Sequence, residues 1–219
     1  MFAEDWLLNR MMFWIPLVLS LTVHEWAHAW SAFRLGDATA ASEGRLTLNP
    51  LAHMDPIGTL LLPMLIPFGW AKPVPINIGR FHPQVGMRAG VLLTAAAGPV
   101  SNLCIALLSV LVLLTTTYVC GDVARIPGSL HWLLETLIWL NVLLATFNML
   151  PFPPLDGSRI ADALMPDRFR SLWDSFCQLG PVALLVVILL PILSGCHILL
   201  WPIEVTQQTV DMLIQQVTS

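Results

Sequence analysis

The sequence has few charged residues, and its cysteines show no pairing pattern. Only 11% of its 219 residues are charged and 56% are hydrophobic. Soluble domains carry about a quarter charged residues, so an ordinary soluble domain is excluded and an integral membrane protein is indicated. The formal net charge of −4 leaves no basic surface for nucleic acid. None of the four cysteines has CxxC spacing, so they fit neither a zinc knuckle nor a redox pair, and a pairing of Cys120 with Cys196 near the non-cytoplasmic face is left open.

Long apolar segments divide the chain, and it has no internal repeat and no low-complexity tract. A helix needs about 20 apolar residues to span a bilayer. Four segments are that long, and they cover 11–35, 88–119, 130–151 and 179–203. The apolar piece 57–68 is shorter and contains two prolines, which favours a re-entrant segment. We expect one domain over 1–219, with its core at 11–160 and a C-terminal helix and tail at 179–219. Its fold class is an α-helical integral membrane protein, a polytopic bundle of about 4–6 transmembrane helices.

The first apolar segment contains His24-Glu25-Trp26-Ala27-His28, an HExxH sequence. Ionisable groups are costly in hydrocarbon, so their presence there indicates function. On a helix, His24 and His28 project from one face, as two ligands of a metal ion require. Glu25 is adjacent, where it can activate a water on that metal. The pattern predicts a hydrolytic zinc site within the membrane.

A catalytic zinc takes three protein ligands and leaves a fourth position open. The other candidates are scattered carboxylates and four further histidines, namely His53, His82, His131 and His197. Asp156 is the most suggestive candidate, because it follows a proline-rich segment after helix 130–151. An unwound backbone there can turn the carboxylate back toward the metal. We expect His53 and His82, which lie beside proline-containing turns, to be surface or gating residues.

The position of 57–68 decides whether Asp156 can reach the two histidines. If 57–68 re-enters, loops 34–88 and 152–178 share one face and hold eight of the ten Lys and Arg residues. The positive-inside rule makes that face cytoplasmic. Helices 11–35 and 130–151 then end on the same side, within reach of each other. If 57–68 crosses, Asp156 lies on the opposite face. We therefore expect re-entry and an active site toward the cytoplasmic side.

Two further segments are candidates for binding a substrate. Lys72-Pro-Val-Pro-Ile-Asn77 alternates prolines as an edge strand can, which predicts a short membrane-associated β segment. An extended substrate could pair with this edge through Val74, Pro75 and Ile76; the alternative is a rigid connector. Asn148, at the end of an apolar helix, either binds an unwound substrate or bonds to another helix, as Asn141 can also do. Asn102 either orients a ligand or contributes to helix packing, and is kept as a substrate-binding candidate.

Three motifs in order over 24–157 resemble the site-2 protease family of intramembrane zinc metalloproteases. Besides the HExxH sequence at 24–28, Gly98-Pro99-Val100-Ser101-Asn102 matches Gly-Pro-x-x-Asn. Asn148-Met-Leu-Pro151 followed by Leu155-Asp156-Gly157 matches Asn-x-x-Pro leading to Asp-Gly. The resemblance implies that His24, His28 and Asp156 bind one Zn²⁺ per chain and that Glu25 is the catalytic carboxylate. Residues 119–130 cannot hold a PDZ domain, and 201–219 cannot hold CBS domains, so the resemblance is to a minimal prokaryotic type.

The resemblance implies an endopeptidase that cuts membrane-protein substrates in or near their transmembrane segments, in regulated intramembrane proteolysis. Its partners would be a transmembrane protein and the lipid bilayer, with no nucleic acid. It would be a multi-pass protein of a prokaryotic plasma membrane. One alternative is a membrane zinc hydrolase of small peptides or lipidated proteins. Another is a zinc transporter or sensor, although such transporters tend to have inverted repeats and several midplane acidic ligands.

Overall fold

The computed structural model describes residues 2–65, 69–121 and 125–194, together with 205, 208 and 212. In these residues the fold is helical, and none of them lies in a β-strand. The α-helices of this part of the chain are α1 (Phe2–Arg34), α2 (Thr39–Ser42), α3 (Leu62–Leu65), α4 (Met87–Cys120), α5 (Gly128–Asn148), α6 (Asp156–Leu164) and α7 (Arg170–Ser194).

Two of the described helices, α4 and α5, are long and apolar enough to span a membrane, with mean hydropathies of 2.4 and 1.5 in their most apolar windows. Their bounds lie within three residues of the predicted segments 88–119 and 130–151. In contrast, α7 begins at Arg170, well before the predicted 179, because hydropathy detects only the apolar part of a helix. The predicted number of transmembrane helices stays a prediction. The predicted helix end at 203 and a pairing of Cys120 with Cys196 involve positions outside the described residues.

The central helix is α4, which packs against α1, α5 and α6. One apolar cluster joins Leu17 and Leu21 of α1 to Leu140 of α5. A second joins Leu113 of α4 to α5. Lipid tails are as apolar as leucine, so association in a bilayer relies on close packing and on hydrogen bonds between helices. The polar contacts between α1, α4 and α5 therefore contribute, together with close packing, to how the three helices are arranged.

The segment predicted to re-enter packs against α1 in its described residues, where Trp14 Nε1 donates to the Thr59 carbonyl at 2.7 Å. A π-helix, Pro56–Leu61, leads into α3. The Trp70 N–H then donates to the Gly58 carbonyl at 3.1 Å, and the Thr59 hydroxyl donates to the Trp70 carbonyl at 2.8 Å. These hydrogen bonds join the two ends of the segment, and its re-entry into the membrane stays a prediction.

Residues 72–77 are extended rather than helical, but no partner strand accompanies them in the described chain, so the β segment stays a prediction. Surrounding loops hold this segment. The Lys72 N–H donates to the His53 carbonyl at 2.8 Å, and the Asn77 N–H donates to Asp37 Oδ2 at 2.6 Å. Burial by itself would raise the pKa of Asp37, but hydrogen bonds from Thr39 and Asn77 outweigh burial and lower that pKa.

His53 lies in the interior, so the expectation of a surface residue was wrong. Only 1% of it is exposed. Its Nε2 donates to the Thr47 carbonyl at 2.8 Å, and Arg45 Nη2 lies 3.5 Å from Nδ1. Burial lowers the pKa of His53, and the nearby Arg45 guanidinium lowers it further. The neighbouring prolines do not reveal this in the sequence, because the burial of His53 depends on its contacts with Arg45, Thr47 and the Lys72 backbone. His82 is exposed, as expected.

Candidate metal centre

The HExxH histidines and the predicted third ligand meet at one point. His24 and His28 lie one helical turn apart on α1, and their Nε2 atoms are 3.1 Å apart. Asp156 is the first residue of α6, and its Oδ2 lies 3.2 Å from each Nε2. All three residues are buried. The result is a nearly equilateral triangle of one carboxylate oxygen and two imidazole nitrogens.

The chain between α5 and α6 is shaped to bring Asp156 to this point. Helix α5 ends at Asn148, and the prolines that follow prevent its continuation. Gly157 lies directly against the carbonyls of Met149 and Leu150, where an added Cβ would collide with both. Only glycine therefore allows α6 to begin so close to the end of α5. This close reversal turns the Asp156 carboxylate toward α1.

One face of α4 supports both imidazoles. His24 Nδ1 donates to Asn102 Oδ1 at 2.5 Å, and His28 Nδ1 donates to the Thr94 carbonyl at 2.7 Å. Between them, at the same helical spacing, lies Gly98, where a Cβ would be 2.6 Å from His24 Nε2. The small residue thus lets α4 approach the histidine pair, which gives the Gly-Pro-x-x-Asn motif a structural reason.

The triangle is suited to a cation. Because both Nδ1 atoms carry the donated proton, each Nε2 presents a lone pair to the centre. Asp156 Oδ2 is buried and receives no hydrogen bond from the described residues. Three acceptors this close repel one another unless a positive charge lies among them. Their separations are close to the roughly 3.3 Å expected between neighbouring ligands of a tetrahedral zinc with bonds of about 2.0–2.1 Å. The donor set therefore fits zinc.

Glu25 faces a cavity of about 570 Å³ that opens from the triangle. Its Oε2 accepts a hydrogen bond from the Val74 N–H at 3.0 Å. This contact joins α1 to the extended segment 72–77. The cavity is lined by the triangle and Glu25 and, among others, by Trp70, Pro73, Val74, Ile76, Phe147, Asn148 and Arg159.

The structure places only some of the predicted substrate-binding residues at the cavity. Val74, Ile76 and Asn148 line the cavity, whereas Pro75 is not among its lining residues. Asn102 does not fit the predicted role, because it is fully buried behind His24 and away from the cavity. Its amide is taken up by helix contacts and so cannot meet a substrate.

Comparison with known proteins identifies the family. Residues 120–192 match the family described as Peptidase family M50. The chain is 42% identical over 189 residues to a Bacillus subtilis protein named "Putative zinc metalloprotease YwhC", covering 86% of this chain and 83% of that protein. The chain belongs to the site-2 protease family. No solved structure matches it significantly.

Mycobacterial members of the family are also similar. The chain is 34% identical over 179 residues to the Rip2 protein of Mycobacterium tuberculosis, covering 81% of this chain and 66% of Rip2. It is 32% identical over 181 residues to Rip2 of Mycolicibacterium smegmatis, again covering 66% of that protein. These relatives are named as zinc metalloproteases in the same words as YwhC. This site-2 protease family member is accordingly a membrane zinc metalloprotease.

Proposed function

We propose that this zinc metalloprotease is an intramembrane endopeptidase, which cuts transmembrane protein substrates in or near their membrane-spanning segments. One observation carries the proposal. The His24, His28 and Asp156 ligand atoms lie 3.1–3.2 Å from one another, beside a Glu25 carboxylate that lines the same cavity. One wall of that cavity comes from α5, a helix long and apolar enough to span a membrane. A peptide that reaches these groups would therefore come from within the bilayer or from its edge.

One Zn²⁺ per chain would be held by His24 Nε2, His28 Nε2 and Asp156 Oδ2. When bound, zinc supplies Lewis-acid chemistry, polarising a carbonyl and making water acidic enough to lose a proton near neutral pH. The protein contributes three fixed ligand atoms. It also contributes hydrogen bonds to both Nδ1 atoms, which fix the orientation of the imidazoles and direct each Nε2 toward the metal position.

Glu25 is the proton carrier of the proposed reaction. Its carboxylate accepts a proton from the attacking water and delivers it to the leaving amine. The Val74 N–H holds Oε2 and leaves Oε1 free for this transfer. Because the hydrogen bond comes from a backbone group, it keeps the carboxylate in place without depending on a second side chain.

The cavity residues would hold the substrate in an unwound form. A helical transmembrane segment hides its peptide groups, so it must unwind before attack, and each freed N–H and C=O then needs a partner. Asn148 and the segment around Val74 and Ile76 line the cavity where such partners are needed. Asn148 Nδ2 donates to the Leu144 carbonyl at 3.0 Å, which leaves the amide oxygen to accept from a substrate N–H.

We further propose a multi-pass arrangement in a prokaryotic plasma membrane, with the metal centre toward the cytoplasm. The return of Trp70 to Gly58 supports it, because a re-entrant 58–70 keeps the ends of α1 and α5 on one side. Eight of the ten Lys and Arg residues then lie on that side.

Purified protein in lipid nanodiscs can test the proposal with two substrates that share one scissile sequence. One substrate carries it in a transmembrane helix, and the other carries it in a short soluble peptide. The parent should cut the transmembrane substrate in preference to the soluble one. Glu25→Gln should lower this rate by about 10²–10⁴-fold, with zinc content per chain unchanged. The matched control Glu43→Gln, at an exposed loop position, should keep the parental rate. Equal rates for both substrates would favour a small-peptide hydrolase, and parental activity of Glu25→Gln would refute the proposed mechanism.

A further inference from the structure

A chain of hydrogen bonds crosses from α5 through α4 to the metal ligand His24. Its three internal members, Ser20, Asn102 and Asn141, are completely buried. We propose that Asn141 and Ser20 are positioning residues of the metal centre, which act through Asn102 to fix the His24 imidazole in the metal-binding tautomer. The inference rests on the proposed metal role of His24. It is tested by zinc affinity, so its outcome is separate from that of the proteolysis assay.

The hydrogen bonds farthest from His24, those of Ser20 and Asn141, determine which group donates in all the others. The Ser20 hydroxyl donates to the Pro16 carbonyl at 2.7 Å, so Ser20 Oγ is left to accept. Asn141 Nδ2 donates to that oxygen at 2.9 Å and to the carbonyl of Leu137 at 2.8 Å. With both acceptors facing its amino group, the Asn141 amide must turn its oxygen toward α4.

The orientation of the Asn141 amide in turn determines that of the Asn102 amide. Asn102 Nδ2 donates to Asn141 Oδ1 at 2.7 Å, which turns Asn102 Oδ1 toward His24. That oxygen can only accept, so His24 must carry its proton on Nδ1. Nε2 is therefore left with a lone pair that faces His28 and Asp156. Two backbone carbonyls on different helices thus select the ligand form of a histidine on α1.

The two metal-binding histidines are supported differently. His28 Nδ1 donates directly to a backbone carbonyl, that of Thr94, which no side-chain substitution removes. His24 depends on a side-chain amide whose own orientation depends on a second amide. Partners of this kind typically contribute about 10–100-fold to metal affinity. A polar contact that merely joined helices would need no fixed direction and would leave zinc affinity alone.

Zinc affinity, measured by chelator competition on the purified protein in nanodiscs, tests the inference. Asn102→Ala should weaken zinc binding by about 10–100-fold, and Asn141→Ala by at least about threefold. Ser20→Ala is the mildest change and should weaken it in the same direction. Ser109→Ala is the matched control, because Ser109 is also buried and its hydroxyl also donates to a carbonyl four residues earlier, at 2.9 Å. It lies outside the chain to His24 and should keep parental affinity.

A double variant distinguishes a relay, in which Asn141 acts on zinc affinity through Asn102, from two independent effects on zinc affinity. If Asn141 acts through Asn102, Asn102→Ala with Asn141→Ala should bind zinc no more weakly than Asn102→Ala alone. Affinity losses that multiply in the double variant would overturn the inference, and so would equal losses in Ser20→Ala and Ser109→Ala. Should the asparagine variants fail to fold, the serine pair decides. Zinc lost in Asp156→Ala but unaffected by Asn102→Ala and Ser20→Ala would refute the relay and leave the proposed metal site standing.

Discussion

The Val74 backbone N–H donates to Glu25 Oε2 at 3.0 Å, linking the extended segment that lines the cavity to the metal-binding helix. Val74 lies between Pro73 and Pro75, neither of which has an N–H. Among residues 73–75, only Val74 therefore has a backbone N–H, and this N–H donates to the Glu25 carboxylate. Glu25 is oriented by the same segment that is proposed to contact the substrate.

Replacing Val74 by proline should remove this donor and slow proteolysis. Residue 73, which would precede the new proline, lies in the extended segment, as a residue before proline prefers. We expect the rate to fall by about tenfold or more, but less than in Glu25→Gln, since the carboxylate remains. Val74→Ala keeps the N–H and is the control. Zinc content should be parental in both variants, and an undiminished rate in Val74→Pro would show that the hydrogen bond is dispensable.

Gly98→Ala should disturb the metal centre without removing any ligand. The added Cβ would lie 2.6 Å from His24 Nε2 and against His28, so α4 or the imidazoles must shift. We expect zinc content after dialysis against a weak chelator to fall well below one per chain. Gly86→Ala, at the start of the same helix with open space around its Cβ position, should keep parental zinc content. Full zinc retention in Gly98→Ala would contradict the described packing.

Zinc should stabilise the folded protein through Asp156. A ligand that binds only the folded state adds about 2.7 kcal/mol at a free concentration 100 times its Kd. Chelation should therefore lower the thermal midpoint of the parent, and added zinc should restore it. Asp156→Ala should show neither response. Asp167→Ala, at an exposed site paired with Arg88, should behave like the parent. A zinc-dependent midpoint in Asp156→Ala would mean that the third ligand lies elsewhere.

His53 should make the fold less stable in acid. Its pKa is lowered in the folded state by burial and by Arg45, so the unfolded chain takes up a proton there first. The contribution is complete above the unfolded pKa of about 6.5 and is lost as pH falls from that value through the folded pKa. The thermal midpoint of zinc-free protein should fall less between about pH 8 and about pH 5 in His53→Gln than in the parent. The exposed control His82→Gln should show the parental decline. Identical curves for His53→Gln and the parent would contradict this account.

Local spacing predicted the metal centre better than it predicted the support around it. The spacing of His24 and His28 places two imidazoles on one face of any helix, whatever the rest of the fold. The prediction that Asp156 reaches the two histidines followed from the prolines after α5 and from the expectation that α1 and α5 end on the same side of the membrane. Both features are readable along the chain.

The hydrogen bonds that support His24 could not be predicted from spacing along the chain, because they depend on which faces of α1, α4 and α5 contact one another. Asn102 and Asn141 are visible in the sequence as polar residues in apolar helices. Their pairing, and the turning of Asn102 toward His24 rather than the cavity, follow from the contact between α4 and α5. The inward folding of His53 is likewise a tertiary effect, created by the loops that hold residue 72.

The distance along the chain between His28 and Asp156, 128 positions, has a consequence for biosynthesis. The ribosome synthesises α1 long before α6 exists. Until α6 folds back over the end of α5, a nascent chain carries the histidine pair and the glutamate without their distant carboxylate. Under the proposed function, newly made protein therefore could not cut neighbouring membrane proteins until α6 is in place.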